Sequence, residues 1–86
     1  MKNDIQEVWN PMKEYEVVHE IFNLCSNNQM RDVFIEEKMI ADLEQYVISR
    51  HQDGEFTYER EDLEDGTVIF KVNTSGILQR YTFTEI

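Results

Sequence analysis

The stretch Asp53-Gly54-Glu55-Phe56-Thr57-Tyr58-Glu59-Arg60-Glu61-Asp62-Leu63-Glu64-Asp65-Gly66 decides how the chain is read. From Glu55 onward side chains alternate with the period of two that marks a half-buried strand, and Asp65-Gly66 signals a tight turn. Phe56, Tyr58 and Arg60 fall on one face of that strand. Glu55, Thr57, Glu59 and Glu61 fall on the other. Residues 53–66 hold seven acids (Asp53, Glu55, Glu59, Glu61, Asp62, Glu64, Asp65) against one base (Arg60), a net of −6 within a chain of net −10. More than half of the excess charge therefore sits on this one ribbon.

Downstream, two more strands follow. In the first, Val68, Phe70 and Val72 face one way and Ile69 and Lys71 the other. In the second, Ile77, Tyr81 and Phe83 oppose Leu78, Arg80, Thr82 and Thr84. The turns fix the register, because a slip of one residue would turn every side chain to the wrong face. A two-residue Asp65-Gly66 loop would bring Glu61 opposite Phe70. A three-residue Glu64-Asp65-Gly66 loop with left-handed Gly66 instead pairs Arg60 with Phe70 and Tyr58 with Val72. A Ser75-Gly76 loop pairs Phe70 with Tyr81 and Val68 with Phe83, both favourable cross-strand contacts.

Upstream of residue 53 the spacing reads as helical. Ile5, Val8 and Trp9 suggest a short turn over residues 3–9, with Asn3 and Gln6 resembling a capping box. Asn10-Pro11 suits an N-cap followed by a first helical position. A helix is expected from Pro11 to about Cys25, with Tyr15, Val18, Phe22 and Cys25 on one stripe and Val17, Ile21 and Leu24 widening it. Ser26-Asn27-Asn28 would stop it. A second helix is expected from Met30 or Asp32 to about Arg50, with Phe34, Met39 or Ile40, Leu43 and Val47 at helical spacing. Val33-Phe34-Ile35 also admits a short strand. The expected fold is α+β over a single domain, 1–86. In it, an N-terminal αα-hairpin (plus the short N-terminal helical turn) packs on one face of a three-stranded antiparallel β-meander, in the order α-α-β-β-β.

With 86 residues and 41% hydrophobic content, the chain can build one modest core. A core of that size admits a homodimer as an added source of stability. One cysteine rules out an internal disulfide, the start Met1–Glu7 is polar, and no apolar run reaches the roughly 20 residues of a membrane span. These features lead us to expect a cytoplasmic protein with no membrane contact. Eighteen acids against eight bases disfavour direct binding to nucleic acid or an anionic membrane. The natural complement is a basic protein surface, above all one that handles nucleic acid.

The expected function follows. The chain is read as a small, acidic, non-enzymatic binding protein of the phage or mobile-element inhibitor type, acting by polyanion mimicry on a basic partner. Glu55, Glu59, Glu61, Asp62, Glu64 and Asp65 would make the electrostatic contacts, with Tyr58, Leu63 and Trp9 as apolar anchors. The competing explanation is an edge strand made polar against sheet aggregation. No cofactor is implied. The stretch from Glu61 to Gly66 fails as a calcium loop, because Leu63 occupies a ligand position. Glu16-x-x-His19 has the spacing of carboxylate-bridged di-metal bundles, which a dimer with Glu37 or Glu44 would complete. Another alternative is a self-associating subunit that buries Phe22, Phe34 or Tyr46 between helix faces. Cys25 reads as a buried, inert thiol and His51 as a helix-end cation.

Overall fold

A computed structural model describes residues 12–25 and 28–86. The expected helical turn over 3–9, Trp9, the Asn10-Pro11 start signal and the Ser26-Asn27 stop lie outside the described residues, as does the side chain of Cys25. The chain runs β1 (Lys13–Cys25), β2 (Asn28–Ile40), α1 (Leu43–Ser49), β3 (Thr57–Asp62), β4 (Val68–Thr74) and β5 (Ile77–Glu85). All five strands form one antiparallel sheet in the order β2-β1-β5-β4-β3.

The meander has the register read from its turns. Arg60 lies opposite Phe70 and Tyr58 opposite Val72. Phe70 lies opposite Tyr81 and Val68 opposite Phe83. The first loop is closed by the Leu63 N–H donating to the Thr67 carbonyl at 2.8 Å, and Gly66 has φ +92°. At the second loop Ser75 (φ 51°) and Gly76 (φ 86°) are both left-handed, the twist that two-residue hairpins favour.

The αα-hairpin is not there. The residues expected to form its first helix are β1, and those of the second are β2 followed by the seven residues of α1. The chain is a mostly β protein rather than α-α-β-β-β. The physical reason lies in which residues carry the pattern. Tyr15, Val17, His19 and Ile21 alternate on one face of β1, while Val18 and Phe22 lie on the other. Because both faces carry apolar groups, positions three and four apart can also be joined into a helical stripe. Val17, Val18, Ile21, Val33 and Ile35 are β-branched, so they lose side-chain freedom in a helix and suit a pleated surface. Tertiary pairing then decides between the two. Tyr15–Phe22 of β1 satisfies the edge of β5 that a three-strand meander would leave open.

The helix begins where the chain supplies a cap. Asp42 is extended (φ −137°, ψ 109°), and its carboxylate accepts the Gln45 N–H at 3.2 Å. It closes through the Arg50 N–H to the Val47 carbonyl and the His51 N–H to the Ile48 carbonyl, both at 3.1 Å. Leu43 and Val47 then face the sheet. The core they close contains Val17, Ile40, Val68, Phe70, Val72, Tyr81 and Phe83. Phe83, at 0% exposure, is its centre. Tyr15, Tyr46 and Phe70 meet it edge-on at 6.3, 5.8 and 5.8 Å, and Tyr81 stacks beside it at 6.2 Å. Among the described residues, no element covers the opposite face of the sheet.

Phe83→Ala removes the ring on which strand and helix aromatics converge. It is expected to cost about 3–5 kcal/mol of stability, read as a lowered urea midpoint in circular dichroism. A loss under about 1 kcal/mol would show that the helix does not depend on this contact.

Candidate functional site

The expected contact residues spread over β3 and its flanks, and the structure divides them into two sets. Glu59 and Glu61 project from the open face of the edge strand, exposed to solvent. Glu64 and Asp65 are exposed at the tip of the following loop, with Leu63 beside them at 38% exposure. The loop is held in shape. The Asp65 carboxylate accepts the Thr67 N–H at 3.0 Å, which keeps its pKa below the ordinary value, and the Gly66 N–H donates to the Leu63 carbonyl at 3.1 Å.

Of the others, Asp62 and Tyr58 are engaged within the chain. Asp62 lies on the helix side, gripped by Arg60 through Nε–Oδ1 at 2.8 Å and Nη2–Oδ2 at 3.2 Å. That hydrogen bond holds its pKa down and neutralises it in place. The Arg60 guanidinium itself lies over the Phe70 ring at 5.5 Å. The Tyr58 hydroxyl donates to Glu44 Oε2 of α1, and its ring stacks on Phe56 at 6.1 Å and tilts against Phe70 at 6.0 Å. Tyr58 is therefore the clasp between the edge strand and the helix. Glu55 precedes β3 and lines a shallow cleft of about 270 Å³ with Arg50, His51, Asp53, Thr74 and Ser75. Trp9 lies outside the described residues.

The open face has an order that the ribbon alone does not reveal. Across the strands, Glu20, Arg80, Lys71 and Glu59 stand directly opposite one another in a row. Glu59 thus has a cation across from it, although its own strand offers only the inward Arg60. Glu20 anchors the far end of the row. It is 7% exposed and accepts from Arg80 Nε at 2.7 Å, while Arg31 Nη1 approaches its second oxygen at 3.2 Å. The hydrogen bond from Arg80, reinforced by both positive charges, holds Glu20 ionised to lower pH than an ordinary glutamate. The sequence signal for this row is the shared parity of Lys71 and Arg80 on the meander's outer side. Glu20 joins it only because β1 is a strand.

A second cluster occupies the helix side, where β1, β5 and the end of α1 meet. The His19 ring lies flat on Tyr81 at 4.1 Å, with Phe34 tilted against it at 6.0 Å. Its Nε2 pairs with Gln79 Oε1 at 2.7 Å, and Gln79 Nε2 donates to Thr74 Oγ1 at 3.2 Å. The buried Tyr81 hydroxyl accepts from Arg50 Nε at 3.3 Å and lies 2.8 Å from His51 Nε2. A hydroxyl has one proton and two lone pairs, so the Tyr81 oxygen serves Arg50 and His51 at once. Burial holds both imidazoles below their ordinary titration range. The Gln79 bond partly offsets this at His19, and the charges of His19 and Arg50 add to it at His51. His51 is thus a hydrogen-bond partner of the core, with its proton affinity lowered chiefly by burial, rather than the helix-end cation that its position suggested.

The di-metal alternative loses its geometry. On a strand, Glu16 and His19 point to opposite faces, so Glu-x-x-His is not a ligand pair here. Among the described residues, no three His, Cys, Asp or Glu side chains are placed to hold a metal ion. No helix among them is long and apolar enough to cross a membrane.

The two imidazoles generate a pH dependence of stability. In the unfolded chain they take up protons near pH 6.5, whereas the folded chain does so only at lower pH. The unfolded state therefore binds more protons below about pH 6.5, and stability falls as pH drops through that window. Urea midpoints measured between pH 8 and 5.5 are expected to decline for the natural chain and to flatten for His19→Gln/His51→Asn. The loss of Glu20 ionisation belongs to a lower, separate window. An equal slope in both proteins would remove the imidazoles from the explanation. Comparison with known proteins adds no relative: no family model, no curated protein and no solved structure matches this chain.

Proposed function

We propose that the chain is a non-enzymatic binding protein that uses the β3 edge and its loop to occupy a basic groove on a nucleic-acid-handling protein. The row of carboxylates takes the place of a polyanion there, in a reducing compartment such as the cytoplasm. The observation that carries the reading is the disposition of four acids. Glu59, Glu61, Glu64 and Asp65 are all exposed along one edge strand and the loop that continues it. Their backbone is held by the Tyr58–Glu44 clasp behind and the hydrogen-bonded loop ahead. A partner would meet charge that is already positioned, so little ordering entropy opposes binding. Leu63 supplies an apolar contact at the centre of this arc.

Asp62, Tyr58 and Glu55 are not direct contacts in this proposal. Asp62 is engaged with Arg60 and Tyr58 with Glu44, and Glu55 faces a different cleft. Lys71 tempers Glu59. Glu61 has Ile69 opposite it, so the loop end of the ribbon carries more of the field.

The test is affinity capture from cells of origin, with the natural chain and with Glu61→Lys/Glu64→Lys as paired baits. A basic partner is expected on the natural chain, displaced by heparin and weakened at least tenfold by the two reversals, with the association rate most salt-sensitive. Capture that ignores both charge reversal and heparin would contradict polyanion mimicry.

A further inference from the structure

The two edges of the sheet are built differently. The β3 edge is six residues long, carries Glu59 and Glu61 on its open face and is clasped to the helix through Tyr58. Those are the devices that keep an edge from pairing with another strand. The β2 edge is thirteen residues long and follows β1 residue for residue from Asn28 to Ile40, without a bulge or proline. At its middle, Val33, Phe34 and Ile35 are 43%, 50% and 64% exposed. Among the described residues, nothing pairs with its outer side.

We propose that this edge pairs with β2 of a second copy of the chain, antiparallel about a twofold axis through Phe34, to make one continuous ten-stranded sheet. The sequence of β2 selects both the occupant and the register. A twofold axis normal to the sheet keeps the faces matched, so partners must share parity. With Phe34 opposite Phe34 of the second copy, Val33 meets Ile35 twice and Arg31 meets Glu37 twice. A shift by two toward Ile35 would set Val33 against Glu37 and Phe34 against Glu36. A shift by two toward Val33 would set Arg31 against Ile35 and Asp32 against Phe34. Of these three, only the Phe34-centred pairing matches apolar with apolar and cation with anion on the open face.

The like charges within one copy fit the same arrangement. Glu37 stands directly opposite Glu16, a repulsive cross-strand pair. The arriving Arg31 relieves it, and a guanidinium has donors to spare beyond its contact with Glu20. The cost falls on the helix side, where Asp32 meets Glu36. There Lys38 Nζ lies 3.4 Å from Glu36 and offsets it. This self-pairing is independent of polyanion mimicry, since it uses the opposite edge. If both hold, the two acidic β3 edges sit at the far ends of the sheet, nine strand spacings or about 43 Å apart.

Sedimentation of the purified full chain at about 100 μM, enough to populate even a micromolar pair, is expected to give twice the chain mass of 10.4 kDa. In a Cys25→Ser background, Phe34→Cys is expected to form a covalent dimer on mild oxidation, because directly opposed residues lie within disulfide reach. Ile35→Cys is expected not to, because its copies are offset by about 8 Å. Glu37→Arg alone should weaken the pair at least tenfold, and mixing it with Arg31→Glu should restore a heterodimer. A monomer at that concentration would overturn the proposal, as would crosslinking at 35 in preference to 34, or a dimer indifferent to Glu37→Arg.

Discussion

One short helix has to cover one broad sheet, and the rest of the molecule follows from that constraint. The seven residues of α1 bury Leu43 and Val47 against the face where Phe70, Tyr81 and Phe83 converge. They can shield that face only. The central strands β5 and β4, with Val17 of β1, accordingly carry the buried apolar and aromatic side chains on the helix side, and the other face is mixed. The aromatic cluster around Phe83 does more than fill space, because its edge-to-face contacts join β1, β4, β5 and α1 at a single ring. Tyr81 extends the cluster to the helix end, where its hydroxyl ties Arg50 and His51 to the sheet.

The uncovered face and the two edges are where this protein has chemistry to offer. The cross-strand row from Glu20 to Glu59 sets four of that face's charges in line, with Glu20 paired to Arg80 and Arg31. Acids that face no cation across the strands gather at two places, the β3 loop and the β1–β2 end of the face around Glu16 and Glu37. These two places meet different edges. One edge is polar and clasped, the other long and apolar at its centre. A net charge of −10 opposes aggregation wherever the acids sit, so solubility does not account for the asymmetry between the edges. The two proposed contacts, one at each edge, would account for it.

Much of the C-terminal half is legible in the sequence. Asp65-Gly66 and Ser75-Gly76 name their turns, and parity then leaves one register for Arg60, Phe70 and Tyr81. The N-terminal half misleads because a strand with apolar residues on both faces also satisfies helical spacing. Tyr15, Val18 and Phe22 make a plausible stripe, although only Tyr15 faces the core. Two local signals point the other way. Val33-Phe34-Ile35 is strongly strand-forming. Asp42 followed by Gln45 is an N-cap with its third-position partner, which places the helix start after Ile40 rather than at Met30 or Asp32. The role of Glu20 is not legible at all. It depends on Arg31 and Arg80 arriving from strands whose adjacency only the whole sheet specifies.

Residues 13–25 form an interior strand of the sheet rather than a helix lying on it. Cross-strand nuclear Overhauser contacts between the backbones of Tyr15–Phe22 and Leu78–Glu85 test this most directly. An interior strand gives Hα–Hα or HN–HN contacts between Val18 and Thr82 and between Glu20 and Arg80, with extended-chain chemical shifts throughout. A run of HN–HN contacts between successive residues and Hα–HN contacts three residues apart across the same segment would contradict it.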